Sequence, residues 1–383
     1  MSRVRIEATL LALAFLDLLG FGMLIPDIQI RLDGMGSPGW MIGVVLSSMF
    51  VAQILISPFW GRLSDRVGRK PIVVTCTFIS ALAMAVYGLA TNPAWILASR
   101  VLAGVGAANI AIAQAYVADL DASGSKVTAM GRISAAISAG LIAGPAIGGW
   151  LAAAGGNRIL GFVAASASAL GGLAALFLLP KVQPSPREER PRATLQLLKE
   201  VPGLRRLFFV IAMGWLALAT LEGTFGRLIK DNLGLGTGEF GTIFAYESLL
   251  SLIIQSALLS KIQKLGGASA ILRFSYVVMG VGLLVFPFSP GLWALFIGST
   301  LYASGSAIAN PTANALCSDL TPVERQGELF GLMQSATRFG FIVGPVIGGR
   351  LFDMWHAGPY LMAALVCGAA AAAVPSFRGT QRV

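Results

Sequence analysis

The sequence predicts an all-α integral membrane protein, with twelve transmembrane helices arranged as two six-helix, pseudo-symmetric halves. Three observations carry this. Of 383 residues, 56% are hydrophobic and 12% charged, against roughly 25% charged in a soluble domain, and the mean hydropathy is +0.76. Apolar runs of about 20 residues, enough to cross ~30 Å of hydrocarbon as a helix, recur along the whole chain. The second half also repeats the first at an offset of 200. Gly140-Leu-Ile-Ala-Gly-Pro-Ala-Ile-Gly-Gly-Trp-Leu151 matches Gly340-Phe-Ile-Val-Gly-Pro-Val-Ile-Gly-Gly-Arg-Leu351, Asp119-Leu120 matches Asp319-Leu320, and Gly131 matches Gly331.

The spans expected in the first half are 8–30, 40–60, 71–91, 94–118, 131–154 and 158–179. The first run is too long for a signal-peptide core and contains Asp17, so it reads as a retained span. Those of the second half are 207–226, 240–260, 269–288, 291–316, 328–350 and 357–376. Between them, Lys181-Val-Gln-Pro-Ser-Pro-Arg-Glu-Glu-Arg-Pro-Arg-Ala193 cannot span. The chain therefore divides into an N-terminal six-helix half (1–180), a central cytoplasmic linker (181–206) and a C-terminal six-helix half (207–383). Within the linker, Thr194–Arg206 reads as a surface amphipathic helix.

Net charge is +10 and the pI about 9.9. In a soluble protein that balance would raise nucleic acid as a partner. Here the cations fall between spans. With both termini cytoplasmic, 21 Lys and Arg lie inside and five outside, while Arg100 and Arg338 fall within spans. That is the positive-inside pattern, and it points to anionic lipid headgroups rather than nucleic acid. Short loops and a short linker suggest a bacterial inner membrane, with a eukaryotic organelle membrane as the alternative. Cys76, Cys317 and Cys367 sit in apolar runs without disulfide or metal spacing, and His356 is the single histidine, so no metal site is expected. There is no G-x-x-x-x-G-K-[ST] phosphate loop, nucleophile elbow or dinucleotide fingerprint. Neither an ATP site, a cofactor nor an enzyme active site is therefore expected, and the energy source is an ion gradient or the substrate's own gradient.

Gly61-Arg-Leu-Ser-Asp-Arg-Val-Gly-Arg-Lys-Pro71 joins spans 2 and 3 as a short, highly charged hairpin. Positive-inside anchoring explains its arginines but not Asp65 or the glycines. The stretch resembles the loop between spans 2 and 3 of the major facilitator superfamily, G-x-L-a-D-r-x-G-r-k-p, with Gly61, Asp65, Arg66, Gly68 and Arg69 in place. The resemblance implies a conformational switch. Asp65 would face the positive N-terminus of span 11, and Asp119, at the end of span 4, would latch onto Arg66 and Arg69. In the second half Gln263 stands where Asp65 does, so such a switch is one-sided.

Span 1 carries Asp17 near mid-membrane. An ionised carboxylate there is costly unless solvated or paired, so an acid at this depth usually lines a cavity and titrates; the plain alternative is a carboxylate that only bonds a neighbouring helix. Asp17, Gly20, Gly22 and Pro26 resemble the span-1 pattern of drug:proton antiporters. In span 4, Arg100 needs a carboxylate or an anionic substrate, or must reach the headgroups. It resembles the same family's R-x-x-x-G element. Span 5 carries Gly140, Gly144 and Gly148 on one face, with Pro145 permitting a bend and Gly149 following. This resembles the element associated with antiport, although close packing accounts for the stripe equally well, and span 11 repeats it.

The second half adds Glu222 on span 7, Glu247 on span 8 and Arg338 on span 11. Glu222 is the better cavity candidate, and Glu247 and Arg338 are possible partners for each other. Phe21, Asn109, Gln114, Trp215, Tyr246 and Asn310 are candidates for the walls of a substrate cavity, although aromatic residues in spans more often pack or anchor. Duplicated parallel halves are a transporter architecture. The resemblance implies a monomeric, proton-coupled antiporter that exports a small apolar or cationic drug-like compound. Protonation of Asp17 or Glu222 would release the substrate. A proton symporter or uniporter for a sugar or organic acid is the alternative within transport, and a non-transporting membrane sensor the alternative outside it.

Overall fold

The computed structural model describes residues 3–120, 126–180, 196–322 and 325–375, and among these the regular structure is helical throughout. The helices of the first half are α1 (Arg3–Met23), α2 (Ile25–Gly34), α3 (Gly39–Val67), α4 (Arg69–Leu89), α5 (Pro93–Gly106), α6 (Asn109–Leu120) and α7 (Lys126–Leu178). The second half follows with α8 (Leu197–Glu200), α9 (Leu204–Leu233), α10 (Thr237–Ile253), α11 (Leu259–Gln263), α12 (Ala268–Val285), α13 (Leu292–Leu320), α14 (Gln326–Met354) and α15 (Gly358–Ala373). Among the described residues, nine helical stretches are long and apolar enough to cross a bilayer; the 16-residue α15 and α14 lie outside that count. The surface carries many exposed large apolar side chains, including Leu55, Phe177, Phe274 and Leu365, as a lipid-facing exterior requires.

Several elements differ from expectation for local reasons. Spans 5 and 6 form one helical run, α7, broken at Gly156 (φ 71°). The chain reverses there. Gly140 and Gly148 approach Phe15 and Met23 of α1 on the way out, and Gly171 meets Leu13 on the way back. The Gly61–Pro71 hairpin is not a loop either. α3 runs on through Val67 and α4 starts at Arg69, so only Gly68 (φ 102°) separates them. The linker residues 181–195 lie outside the described part. The expected helix over Thr194–Arg206 is reduced, within that part, to the single turn α8. Extended Val201, then Pro202 and left-handed Gly203, end it and start α9.

The chain forms two compact units. Unit 1 comprises residues 1–37, 45–188 and 235–245, and unit 2 comprises 38–44, 189–234 and 246–383. Each unit therefore contains a segment from the other half of the sequence. In unit 1, Leu10, Leu13, Val73, Ala113, Tyr116 and Ala175 build a core between α1, α4, α6 and α7. The two halves also end alike. Lys70 donates to the Leu179 carbonyl in unit 1, and Arg273 to the Val374 carbonyl at 2.7 Å in unit 2. Both cations sit where the helix dipole is negative.

Candidate functional site

Asp17 lies inside the unit 1 bundle and is 5% exposed. Its Oδ2 accepts from Asn109 Nδ2 at 2.7 Å and its Oδ1 from the Ser168 hydroxyl at 2.6 Å. Asn109 also reaches Thr77 Oγ1, and its own oxygen accepts from the Ile110 N–H. Asn109 opens α6 just after span 4 breaks at Ala107–Ala108. The break frees backbone carbonyls, and two side chains of α3 take them up: Gln53 donates to Ala107 and Trp60 to Val105. The acid expected to line a cavity is thus bonded between α1, α6 and α7. The amide of Asn109, a candidate for a cavity wall, is engaged by it.

Arg100 is 2% exposed. Its Nε donates weakly to Ser99 at 3.3 Å, its guanidinium lies 5.3 Å from the Tyr87 ring centroid, and its Nη2 has no hydrogen-bond partner among the described residues. Its nearest compensation is therefore a π face rather than a carboxylate. Tyr87 in turn donates its hydroxyl to Asp27 Oδ2 at 2.6 Å. Arg31 stacks on the same ring at 4.7 Å and donates to the Tyr87 and Ala90 carbonyls. With its side-chain amide turned over, Asn157 donates to Asp27 Oδ1 at 3.2 Å and accepts from Arg31 Nε at 2.9 Å. Sequence reasoning missed Asp27, Tyr87 and Ser168. A second acid, directly after Pro26, was the one available signal.

In unit 2, Trp215, Leu218 and Glu222 share one half-buried face of α9 at i, i+3 and i+7. Trp215 packs on Phe341 with ring centroids 5.7 Å apart. Glu247 is also half-buried, with Ser299 and Glu222 as its electrostatic neighbours. Tyr302 lies near both acids, and its hydroxyl has no partner among the described residues. Glu247 and Arg338 do not pair, and no ion pair is found for the half-buried Arg338 among the described residues. Tyr246 bonds Thr300 at 2.6 Å, and Asn310 reaches Ser306 at 3.4 Å. Phe21 and Gln114 are half-buried in unit 1.

In the switch segment, Asp65 pairs with Arg69 one helical turn away, across the Gly68 break. Arg69 is buried and also donates to Ser64. Arg66 is exposed, and the Asp119 side chain lies outside the described residues. The glycine stripe of α7 packs on α1. A Cβ at Gly144 would lie 2.7 Å from the Gly22 Cα, and one at Gly140 would lie 2.7 Å from the Phe15 carbonyl oxygen. Pro145 and Gly149 face the start of α10, with a Gly149 Cβ 2.8 Å from the Gly241 Cα.

The profile of the Major Facilitator Superfamily matches residues 10–272 and 207–382. The chain belongs to this superfamily, and it is a multi-pass membrane protein. Within the superfamily it is 27% identical over 369 residues to multidrug resistance protein 2 of Bacillus subtilis, covering 93% of this chain and 91% of that one. It is 26% identical over 357 residues to the quinolone resistance protein NorA of Staphylococcus aureus, covering 91% and 90%. The fold is similar to that of the human organic anion transporter MFSD10 (TM-score 0.70, 21% identity, 98% of this chain and 100% of that one). It is also similar to the nucleoside transporter NupG (TM-score 0.77, 16% identity, 96% and 98%).

Proposed function

We propose that this facilitator is a proton-coupled exporter of small apolar or cationic drug-like compounds, working by alternating access as a monomer. The observation that supports this most is the similarity, over about nine-tenths of both chains, to proteins named for multidrug and quinolone resistance. The geometry supports a division of labour between the acids. Glu222 and Glu247 are half-buried, unlike Asp17, and stand beside Trp215 and Tyr246, so they suit exchange of a proton against a cationic or neutral compound. Protonation of this pair on the outer side releases substrate, and deprotonation inside restores affinity. Asp17, bonded on both oxygens, holds the break of span 4 and acts as a positioning residue. The chain does no covalent chemistry, its termini face the cytoplasm, and its membrane is the bacterial inner membrane.

The test uses purified protein in liposomes with an imposed pH gradient and an internal pH dye. The panel is a lipophilic cation, a quinolone, a tetracycline, a sugar and an organic acid. Proton movement opposite to a drug-like compound is the expected result. Movement in the same direction as the sugar or the acid refutes the reading.

A further inference from the structure

Arg338 of unit 2 is a cation that the exchange of a proton against a compound leaves unused. It lies more than three turns, about 18 Å of helix, from the nearer end of α14 at Gln326. That depth is beyond the reach of a side chain that snorkels to the headgroups. Arg338 is half-buried, and no ion pair is found for it among the described residues. An ionisable group held at such depth marks a functional site. The fold does not require it. The offset of 200 puts Ser138 at the matching place in α7, and Gly140 and Gly144 pack on α1 there much as Gly340 and Gly344 pack on α9.

The residues near Arg338 follow one another along two helices. α9 and α14 run parallel, since Gly340 meets Trp215 and Gly344 meets Ala219. Phe341 stands one turn beyond Arg338 on the same face of α14. It packs on Trp215 of α9, with ring centroids 5.7 Å apart and the planes at 44°. Glu222 shares the half-buried face of Trp215 two turns further along α9, and Glu247 is its electrostatic neighbour. Beside both acids, the buried Tyr302 hydroxyl has no hydrogen-bond partner among the described residues. All of these residues belong to unit 2. An aromatic pair thus separates one cation from two carboxylates, over roughly 10–15 Å of helix.

We infer that this face binds aromatic zwitterions and that Arg338 is the residue that selects them. A carboxylate at one end of the compound takes the guanidinium. The flat ring system lies against Trp215 and Phe341, and an ammonium at the other end reaches the Glu222 and Glu247 carboxylates. Arginine suits the first contact because its planar fork holds a carboxylate by two parallel bonds. The aromatic pair offers apolar area and a stacking surface between the charges, and the Tyr302 hydroxyl offers a donor beside the acids. A compound with the ammonium alone leaves Arg338 uncompensated and binds more weakly. The inference rests on the drug-export reading above and narrows its substrate class.

The test measures binding to full-length protein in nanodiscs by isothermal titration, after subtraction of uptake by empty nanodiscs. Norfloxacin, which carries a carboxylate and an ammonium at neutral pH, is compared with its ethyl ester, which keeps only the ammonium. The parent should bind norfloxacin about tenfold more tightly than the ester, the size of one charge-assisted contact. Arg338→Gln should remove that preference by weakening norfloxacin alone, and Arg338→Lys should keep part of it. A purely structural role would lower both affinities together. Equal affinities in the parent, or a preference that survives in folded Arg338→Gln, overturn the inference. Should that variant not fold, Arg338→Lys decides, because it keeps the charge without the fork, and an unchanged ratio overturns the inference. A preference for the ester, with proton-driven transport of the ester intact, removes the zwitterion and leaves the export reading standing. An Arg338-dependent preference without proton-driven transport does the reverse, and binding of neither compound refutes both.

Discussion

Asp17 offers the sharpest test, because the structure and the span-1 motif assign it different work. In the structure both oxygens are satisfied, by Asn109 at 2.7 Å and Ser168 at 2.6 Å, inside a bundle that leaves the residue 5% exposed. Asp17→Leu strips the acceptor from two buried donors. Each unsatisfied buried donor costs about 1–3 kcal/mol, so the bundle should lose about 2–6 kcal/mol before any effect of shape. Asp17→Asn keeps one acceptor oxygen for Asn109, and the Ser168 hydroxyl can turn to accept from the new amide. Its cost should be no more than about 1–2 kcal/mol. The two variants, purified in one detergent, are compared by thermal unfolding and by pH-gradient-driven drug transport in liposomes. The positioning reading expects Asp17→Leu to melt much earlier, and Asp17→Asn to stay folded and keep the pH dependence of transport. Loss of that dependence in a folded Asp17→Asn would refute the argument and make Asp17 a coupling acid.

Glu222→Gln should remove gradient-driven transport while keeping drug binding; a quenching titration with a fluorescent lipophilic cation separates the two, and unchanged gradient dependence would move coupling elsewhere. Gly144→Leu must displace Gly22 across the α1–α7 contact. It should cost at least about 1–3 kcal/mol as overpacking, read as lost folded yield, whereas Gly61→Ala, with no neighbour within 4 Å of its Cβ, should be neutral or gain up to about 1 kcal/mol of helix propensity. The Glu200 carboxyl is held below its usual range by Arg325 and then by Gln196. A depressed carboxylate contributes above the unfolded value of about 4.3 and is lost as pH falls through the folded value. Hydrogen-exchange protection in residues 196–203, taken relative to the intrinsic rate at each pH, should therefore stay constant from pH 8 to 5 and fall only below about pH 4; a loss of protection near neutrality would contradict the pairing.

Much of the fold was legible because a bilayer leaves few options. Span length and inter-span charge follow from hydrocarbon thickness and from the need to satisfy every backbone group internally. The hairpin at Gly61–Pro71 shows the limit. Its composition reads as a loop, but Ser64, Asp65 and Arg69 find helical partners, so only Gly68 leaves the helix. The pairing of Glu247 with Arg338 was not formed either, because facing two residues across a bundle depends on helix rotation, which hydropathy does not encode. At Arg100 the need for compensation was readable, but its source, the Tyr87 ring leading to Asp27, was not.

By itself the sequence determined the class of this protein: a duplicated, membrane-spanning bundle with acids on spans 1, 7 and 8 and a glycine stripe on span 5. These depend on composition, periodicity and local spacing. The tertiary structure decided which acid is enclosed and which is half open. Asp17 meets partners 92 and 151 residues away. Such contacts are set by how helices rotate and pack on one another, and no pattern within a single span carries that information.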